Sequence, residues 1–188
     1  MTLISKALET LRHRAVPEPS TAIAVKLGCA GKDTALDVEF HRITQTRLQG
    51  PAAFDKLLAQ INADQDEKFW HKRVWGDVGH PPTKMAHLEI RLEQPSYIIV
   101  KLAKPLGVHF DGSVQPPFSP APDLPAHSLV NPRIVSPTVA LFEAYPAARQ
   151  ASFAYGFNIN LISNLLGTLI AIDPDIRFPQ GSKDGGPP

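Results

Sequence analysis

The strongest candidates for chemistry in this sequence are His87 and Glu89. The residues around them alternate between apolar and polar, which is typical of a strand, so both side chains project from one face. A histidine and a carboxylate placed in this way belong to the 2-His-1-carboxylate set, which binds Fe(II) and leaves coordination positions open. His127 would be the distal third ligand, and the nearby Arg133 would bind a substrate carboxylate. The alternative is an ordinary solvated strand face with cross-strand charge pairs.

A second group of titratable side chains, Asp37, Glu39 and His41, lies on one face of another predicted strand. If that strand neighboured the one carrying His87 and Glu89, carboxylate oxygens and imidazole nitrogens would meet on one surface. Such a set could bind a divalent metal ion. The same residues also suit a strand face that is exposed to water, and the sequence does not decide between the two.

Residues 69–75, which read FWHKRVW, combine aromatic rings with cations. Nucleic-acid binding uses this combination, because bases stack on aromatic rings while cations meet phosphates. The alternative is that Trp70 and Trp75 fill the core or a subunit interface. The net charge of +1, from 19 basic and 18 acidic residues, favours the alternative, so we expect no nucleic-acid partner.

Composition and motifs exclude several further classes of protein. The chain has 188 residues and one cysteine, so an intramolecular disulfide framework and a cysteine-based zinc site are both excluded. The glycine-rich nucleotide loops, the hydrolase elbow G-x-S-x-G and the zinc-protease motif H-E-x-x-H are absent from the sequence. No apolar run reaches the length of a membrane span, and the first residues do not read as a signal peptide. These features predict a cytoplasmic, bacterial protein with no membrane partner.

Hydrophobic periodicity predicts a mainly β fold. We expect an antiparallel β-sandwich or jelly-roll-like body with one or two helices and a long proline-rich connection, and an α+β sheet is the alternative. The pattern predicts seven to nine strands, with 85–93 and 97–102 forming a hairpin. Seven prolines between 113 and 137 predict a long wrap or loop without strands. The predicted strands are 21–27, 36–42, 85–93, 97–102, 137–145, 152–162 and 168–172; the predicted helix is 51–62, and a helix over 161–169 is an alternative.

Three parts follow from this pattern. Residues 1–20 form a helical arm and linker, in which Leu8 and Leu11 lie on one face that could pack on another subunit. Residues 21–180 form a single β-rich domain, and residues 181–188 form a polar tail.

Because no polar constellation dominates, we expect a non-enzymatic binding or self-association module that has no cofactor and acts on a protein partner or on itself. One alternative is the metal-dependent enzyme described above. The other is a carrier of apolar ligands, which would open between the sheets near Phe153, Tyr155 and Phe157.

The stretch FAYGFNINLI, followed by LIAIDPDI, resembles the end of bacterial inclusion-body-type β-sandwich proteins, the AidA/PixA group. In that group an aromatic-rich strand is followed by a strand that closes on Asp-Pro-x-Ile. The resemblance covers about a fifth of the chain and implies a sandwich fold. It implies no catalytic residues, because the group has none established.

Overall fold

A computed structural model describes residues 18–29, 38–42, 46–63, 89–92, 94–103, 106–124, 127–146 and 154–177. These residues form two six-stranded, mainly antiparallel sheets and one helix, which confirms the predicted mainly β fold. The predicted arm and tail lie largely outside the described residues. The elements are β1 (Thr21–Cys29), β2 (Val38–Arg42), β3 (Thr46–Arg47), α1 (Pro51–Ala63), β4 (Glu89–Arg91), β5 (Ser96–Leu102), β6 (Val108–His109), β7 (Phe118–Pro120), β8 (Leu129–Ser136), β9 (Val139–Ala144), β10 (Ala154–Ser163), β11 (Leu169–Ile172) and β12 (Asp175–Arg177).

The first sheet has the strand order β2-β1-β5-β9-β8, and β3 also pairs with β1. The first two strands, β1 and β2, pair antiparallel, with Val25 beside Arg42 and Cys29 beside Val38. At the centre, β1 and β5 run parallel, from Thr21 beside Ser96 to Leu27 beside Leu102. All seven residues of β5 are buried, which requires cover on both faces of the sheet.

Helix α1 provides the cover on the outer face. Gly50 adopts a positive φ of 86°, and Pro51 follows it at the first helical position, where a missing N–H costs nothing. The buried side of the helix packs on small and branched side chains of the sheet. The members of this outer cluster are Ala22, Ala24, Phe54, Leu57, Ile61, Tyr97, Ile99, Val139 and Leu141.

The second sheet is organised around β10. Ile159 of β10 pairs with Ile172 of β11 and also with Phe118 of β7, so these two neighbours lie on opposite edges of β10. β6 and β12 also pair with β10, and β4 adds in parallel to β12.

The two sheets enclose the main core. Three phenylalanine rings bridge them: Phe142 of the first sheet meets Phe118 at 4.6 Å and Phe157 at 5.4 Å between centroids, both edge to face. Aromatic pairs in this geometry add attraction beyond the area that they bury. Phe157 is fully buried, so side chains fill the space between the sheets at this point.

The predicted hairpin of 85–93 and 97–102 is wrong. β4 belongs to the second sheet and β5 to the first, so the chain crosses between sheets near Gln94 and Pro95. The Thr21 hydroxyl holds this crossing by donating to the Pro95 carbonyl at 2.9 Å, and it also lies 2.7 Å from the Ser96 hydroxyl. A tight turn between two alternating segments suits a crossover as well as a hairpin, so the sequence pattern could not separate them.

The prediction of no strand between 113 and 137 is also wrong, because β7 and β8 lie there. Pro120 ends β7, and Pro132 sits at a register shift in β8, the terminal strand of its sheet. Proline is tolerated at strand ends, on edges and at bulges, since no ladder donor is needed there. The alternative helix over 161–169 is wrong as well, because β10 continues to Ser163 and a turn precedes β11.

Candidate functional sites

The residues predicted for a metal site are only partly described. His87 and Asp37 lie outside the described residues. Glu39 and His41 are in β2 of the first sheet and Glu89 is in β4 of the second, so the neighbouring strands that a shared patch needs are not found.

The remaining predicted residues do not complete a site. His127 is exposed and adopts a positive φ of 65°. Within the described part of the chain, no group of three or more His, Cys, Asp or Glu side chains could hold a metal ion. The 2-His-1-carboxylate set therefore stays a prediction.

The interaction candidates Leu8, Leu11, Trp70 and Trp75 also lie outside the described residues.

A cavity of about 390 Å³ lies between the start of α1 and the outer face of the first sheet. Its volume falls within the usual range of small-molecule sites. The lining comes from three separate stretches and two strands: Glu18, Pro19, Ser20, Leu48, Gly50, Pro51, Phe54, Asp55, Tyr97 and Arg133. The helix, the sheet and the residues that precede β1 thus meet at this point.

A stacked aromatic pair contributes to the cavity wall. The rings of Phe54 and Tyr97 lie 4.2 Å apart between centroids, with 28° between their planes, and each residue is 8% exposed. Phe54 is in the first turn of α1, and Tyr97 is the second residue of β5. Because one ring comes from the helix and one from the sheet, packing of α1 fixes their positions.

Charges of both signs line the same cavity. The guanidinium carbon of Arg133, an exposed residue of β8, lies 5.8 Å from the centroid of the Phe54 ring, within the range of a cation–π contact. Glu18 and Asp55 are exposed acidic residues of the lining. The cavity thus has two carboxylates and one guanidinium beside an apolar ring pair.

Two tyrosines near these charges resist ionisation. Burial raises the pKa of Tyr97 above its ordinary value, the carboxylates of Glu18 and Glu143 raise it further, and Arg133 opposes them. Burial raises the pKa of Tyr145 as well, together with the hydrogen bond that its hydroxyl donates to Glu143 Oε2 at 2.8 Å. Both phenols therefore stay protonated at neutral pH and can donate hydrogen bonds.

A second candidate surface is the outer edge of β11. Within the described residues β11 pairs only with β10, so its other edge carries no strand. The turn before it exposes Leu165 by 89% and Leu166 by 71%, and Leu169 of the strand is 47% exposed. Such a cluster of exposed leucines at an open sheet edge is typical of an interaction surface.

Sequence reasoning did not find the cavity. It placed Phe54 on the buried face of a helix, Tyr97 in a strand, and Arg133 near a metal ligand. Parallel pairing of β1 with β5 brings the segment of Glu18 to Tyr97, and the packing of α1 adds Phe54. No local spacing in the sequence indicates a pairing between such distant segments. The exposure of Leu165 and Leu166 was not predicted either.

No family model matches the chain, and no curated protein matches it. The only helix that the structure describes, α1, is too short to cross a membrane. The residues that resemble the AidA/PixA group form most of β10, β11 and β12, and the resemblance itself stays a prediction.

Proposed function

We propose that this protein is a non-enzymatic binding module and that its ligand site is the cavity between α1 and the first sheet. The observation that carries the proposal is the meeting of a stacked aromatic pair with both signs of charge in one cavity of about 390 Å³. Ligand sites combine an apolar wall with a few polar groups that fix orientation.

The charges favour a small zwitterion with an apolar or aromatic body. Glu18 and Asp55 would accept hydrogen bonds from an ammonium group, and Arg133 would donate to a carboxylate. The ring pair would contact the apolar body. Because the lining has two carboxylates and one guanidinium, the ammonium group should contribute more to binding than the carboxylate does.

The predicted carrier of apolar ligands would instead need space between the sheets. The edge-to-face packing of Phe142 against Phe157 occupies that region. The outer cavity is therefore the better-supported site for a small ligand.

Titration calorimetry of the full chain with three probes that share one ring tests the proposal. L-phenylalanine carries both charges, phenethylamine carries only the ammonium group, and 3-phenylpropionate carries only the carboxylate. We expect affinity to fall in that order. Glu18→Gln should weaken the first two probes, whereas Arg133→Gln should remove the advantage of phenylalanine over phenethylamine.

Arg47→Gln is the matched control, because Arg47 is an exposed arginine that does not line the cavity. It changes the net charge as Arg133→Gln does and should leave all three affinities unchanged. Absence of binding by every probe at millimolar concentration would overturn the proposal, as would equal effects of the two arginine substitutions.

A further inference from the structure

We infer that β11 pairs with β11 of a second copy of this chain, which makes a two-fold dimer by antiparallel strand addition. This inference concerns a different surface from the cavity and does not depend on its ligand. It rests on the open edge, on the composition of the segment that forms it, and on the exposed leucines beside it.

The open stretch of the edge is short and well defined. β11 runs from Leu169 to Ile172 and is paired with β10 on one side, so alternate residues direct their N–H and C=O groups to the other side. Beyond Pro174 the edge is occupied, because β4 pairs with β12 from Asp175 onward. A partner strand therefore has four residues to pair with, and the dimer should dissociate on dilution.

The segment from Asn164 to Ile172 contains no charged residue and no proline. Proteins that keep a sheet edge free of partners usually place lysine, proline or a bulge on it. None of these interrupts β11, whose register with β10 is continuous over all four residues. The edge is therefore compatible with strand addition.

The absence of charge favours a second copy over a charged peptide as the partner. An uncharged edge meets no repulsion from a second copy of itself, and it offers no counter-charge to a charged peptide. Antiparallel pairing about a two-fold axis joins the same patch on both copies, as in an isologous interface. It would bring the leucine turn of one copy towards the Asp173 end of the other, which would cover part of Leu165 and Leu166.

Sedimentation velocity of the full chain over a range of concentrations tests the inference. We expect the wild-type protein to show a reversible monomer–dimer equilibrium. Leu169→Lys places a charge on the edge strand and should raise the dimer dissociation constant by at least about tenfold, because a lysine on an edge strand opposes the addition of a further strand. Val114→Lys is the matched control, since Val114 is 59% exposed and lies outside β11, and it should leave the equilibrium unchanged.

A second variant guards against misfolding. Ala171→Lys adds the same charge at another exposed position of β11, and circular dichroism checks that both variants keep the sheet content of the wild type. Amide exchange in β11 should slow as wild-type concentration rises. A monomer at every concentration would overturn the inference, as would a dimer that neither lysine variant weakens.

Discussion

The terminal strands β8 and β11 differ in whether they carry features that prevent a further strand from pairing with them. In β8, Asn131 adopts a positive φ of 53°, Pro132 follows, and the register with β9 shifts between Val130 and Arg133. A bulge, a proline and a charge are three devices that prevent further pairing. β11 has none of them, and the leucines beside it are exposed.

The same contrast extends to the faces of the two sheets. The first sheet is covered by α1 on its outer face, so its central strand β5 is buried on both sides. In β11 of the second sheet, residues alternate between exposed and half-buried, so that strand has one face in water. The first sheet is therefore protected at its β8 edge and covered outside, whereas no strand of the described residues covers the β11 edge of the second sheet.

The largest expected loss of stability comes from truncating a side chain in a strand covered on both faces, compared with a strand that has one face in water. Ile99→Ala empties a fully buried site under α1 and should reduce the free energy of unfolding by about 2–5 kcal/mol. Ile170→Ala in β11 removes a half-buried side chain and should cost less than half as much. Urea denaturation measures both, and equal losses would contradict the difference in cover between the two sheets.

A smaller loss of stability is expected from removing a hydrogen bond between the second sheet and the proline-rich segment. Buried Asn160 donates from Nδ2 to the Pro116 carbonyl at 2.8 Å and to Ser119 Oγ at 2.7 Å. Asn160→Ala leaves these acceptors without their donor and should cost about 1–3 kcal/mol. Asn158→Ala on the same strand is the control, and it should cost less in the same urea titration, because the side chain of Asn158 is only half-buried.

A substitution at the bulge in β8 should change the free energy of unfolding by about 1 kcal/mol. Asparagine tolerates the left-handed backbone at Asn131, whereas alanine is strained there, so Asn131→Ala should lower stability by about that amount. Asn131→Gly, which relieves the strain, should be nearly neutral in thermal denaturation. If both variants behave alike, the backbone conformation is not what maintains the bulge.

The smallest expected effect is that of Tyr145 on the free energy of unfolding at alkaline pH. Since the folded pKa of Tyr145 is raised, the unfolded chain loses this proton first as pH rises. The stabilising contribution is complete below the unfolded tyrosine pKa of about 10 and is lost as pH rises above it towards the folded pKa. Tyr145→Phe should make the free energy of unfolding less dependent on pH above about 10, as measured by urea denaturation at several pH values. A slope equal to that of the wild type would contradict the assignment.

Local patterns predicted the individual elements well and their partners poorly. The alternation of Ile23, Val25 and Leu27 predicted β1, and Phe54, Leu57 and Ile61 predicted the buried face of α1, because side-chain period depends only on neighbouring residues. The mainly apolar run Tyr97–Leu102 predicted a strand, but a short apolar run does not identify the neighbours of that strand.

The candidate sites escaped prediction for the same reason. The cavity needs Phe54, Tyr97 and Arg133 from three elements that strand pairing and the packing of α1 bring together. In contrast, the uncharged composition of residues 164–172 was readable from the sequence. The sequence pattern could not predict that β11 has only one neighbouring strand among the described residues.

The parallel pairing of β1 with β5 has a consequence for the order of folding. Thr21 and Ser96, which lie side by side in the sheet, are 75 positions apart in the chain. Closing so long a loop costs more conformational entropy than forming a local hairpin does. Contacts between residues distant in sequence also slow folding. During synthesis β2, the antiparallel neighbour of β1, follows it directly, but β5, its parallel neighbour, is translated much later. We therefore expect β1 to depend on protection from aggregation until β5 emerges.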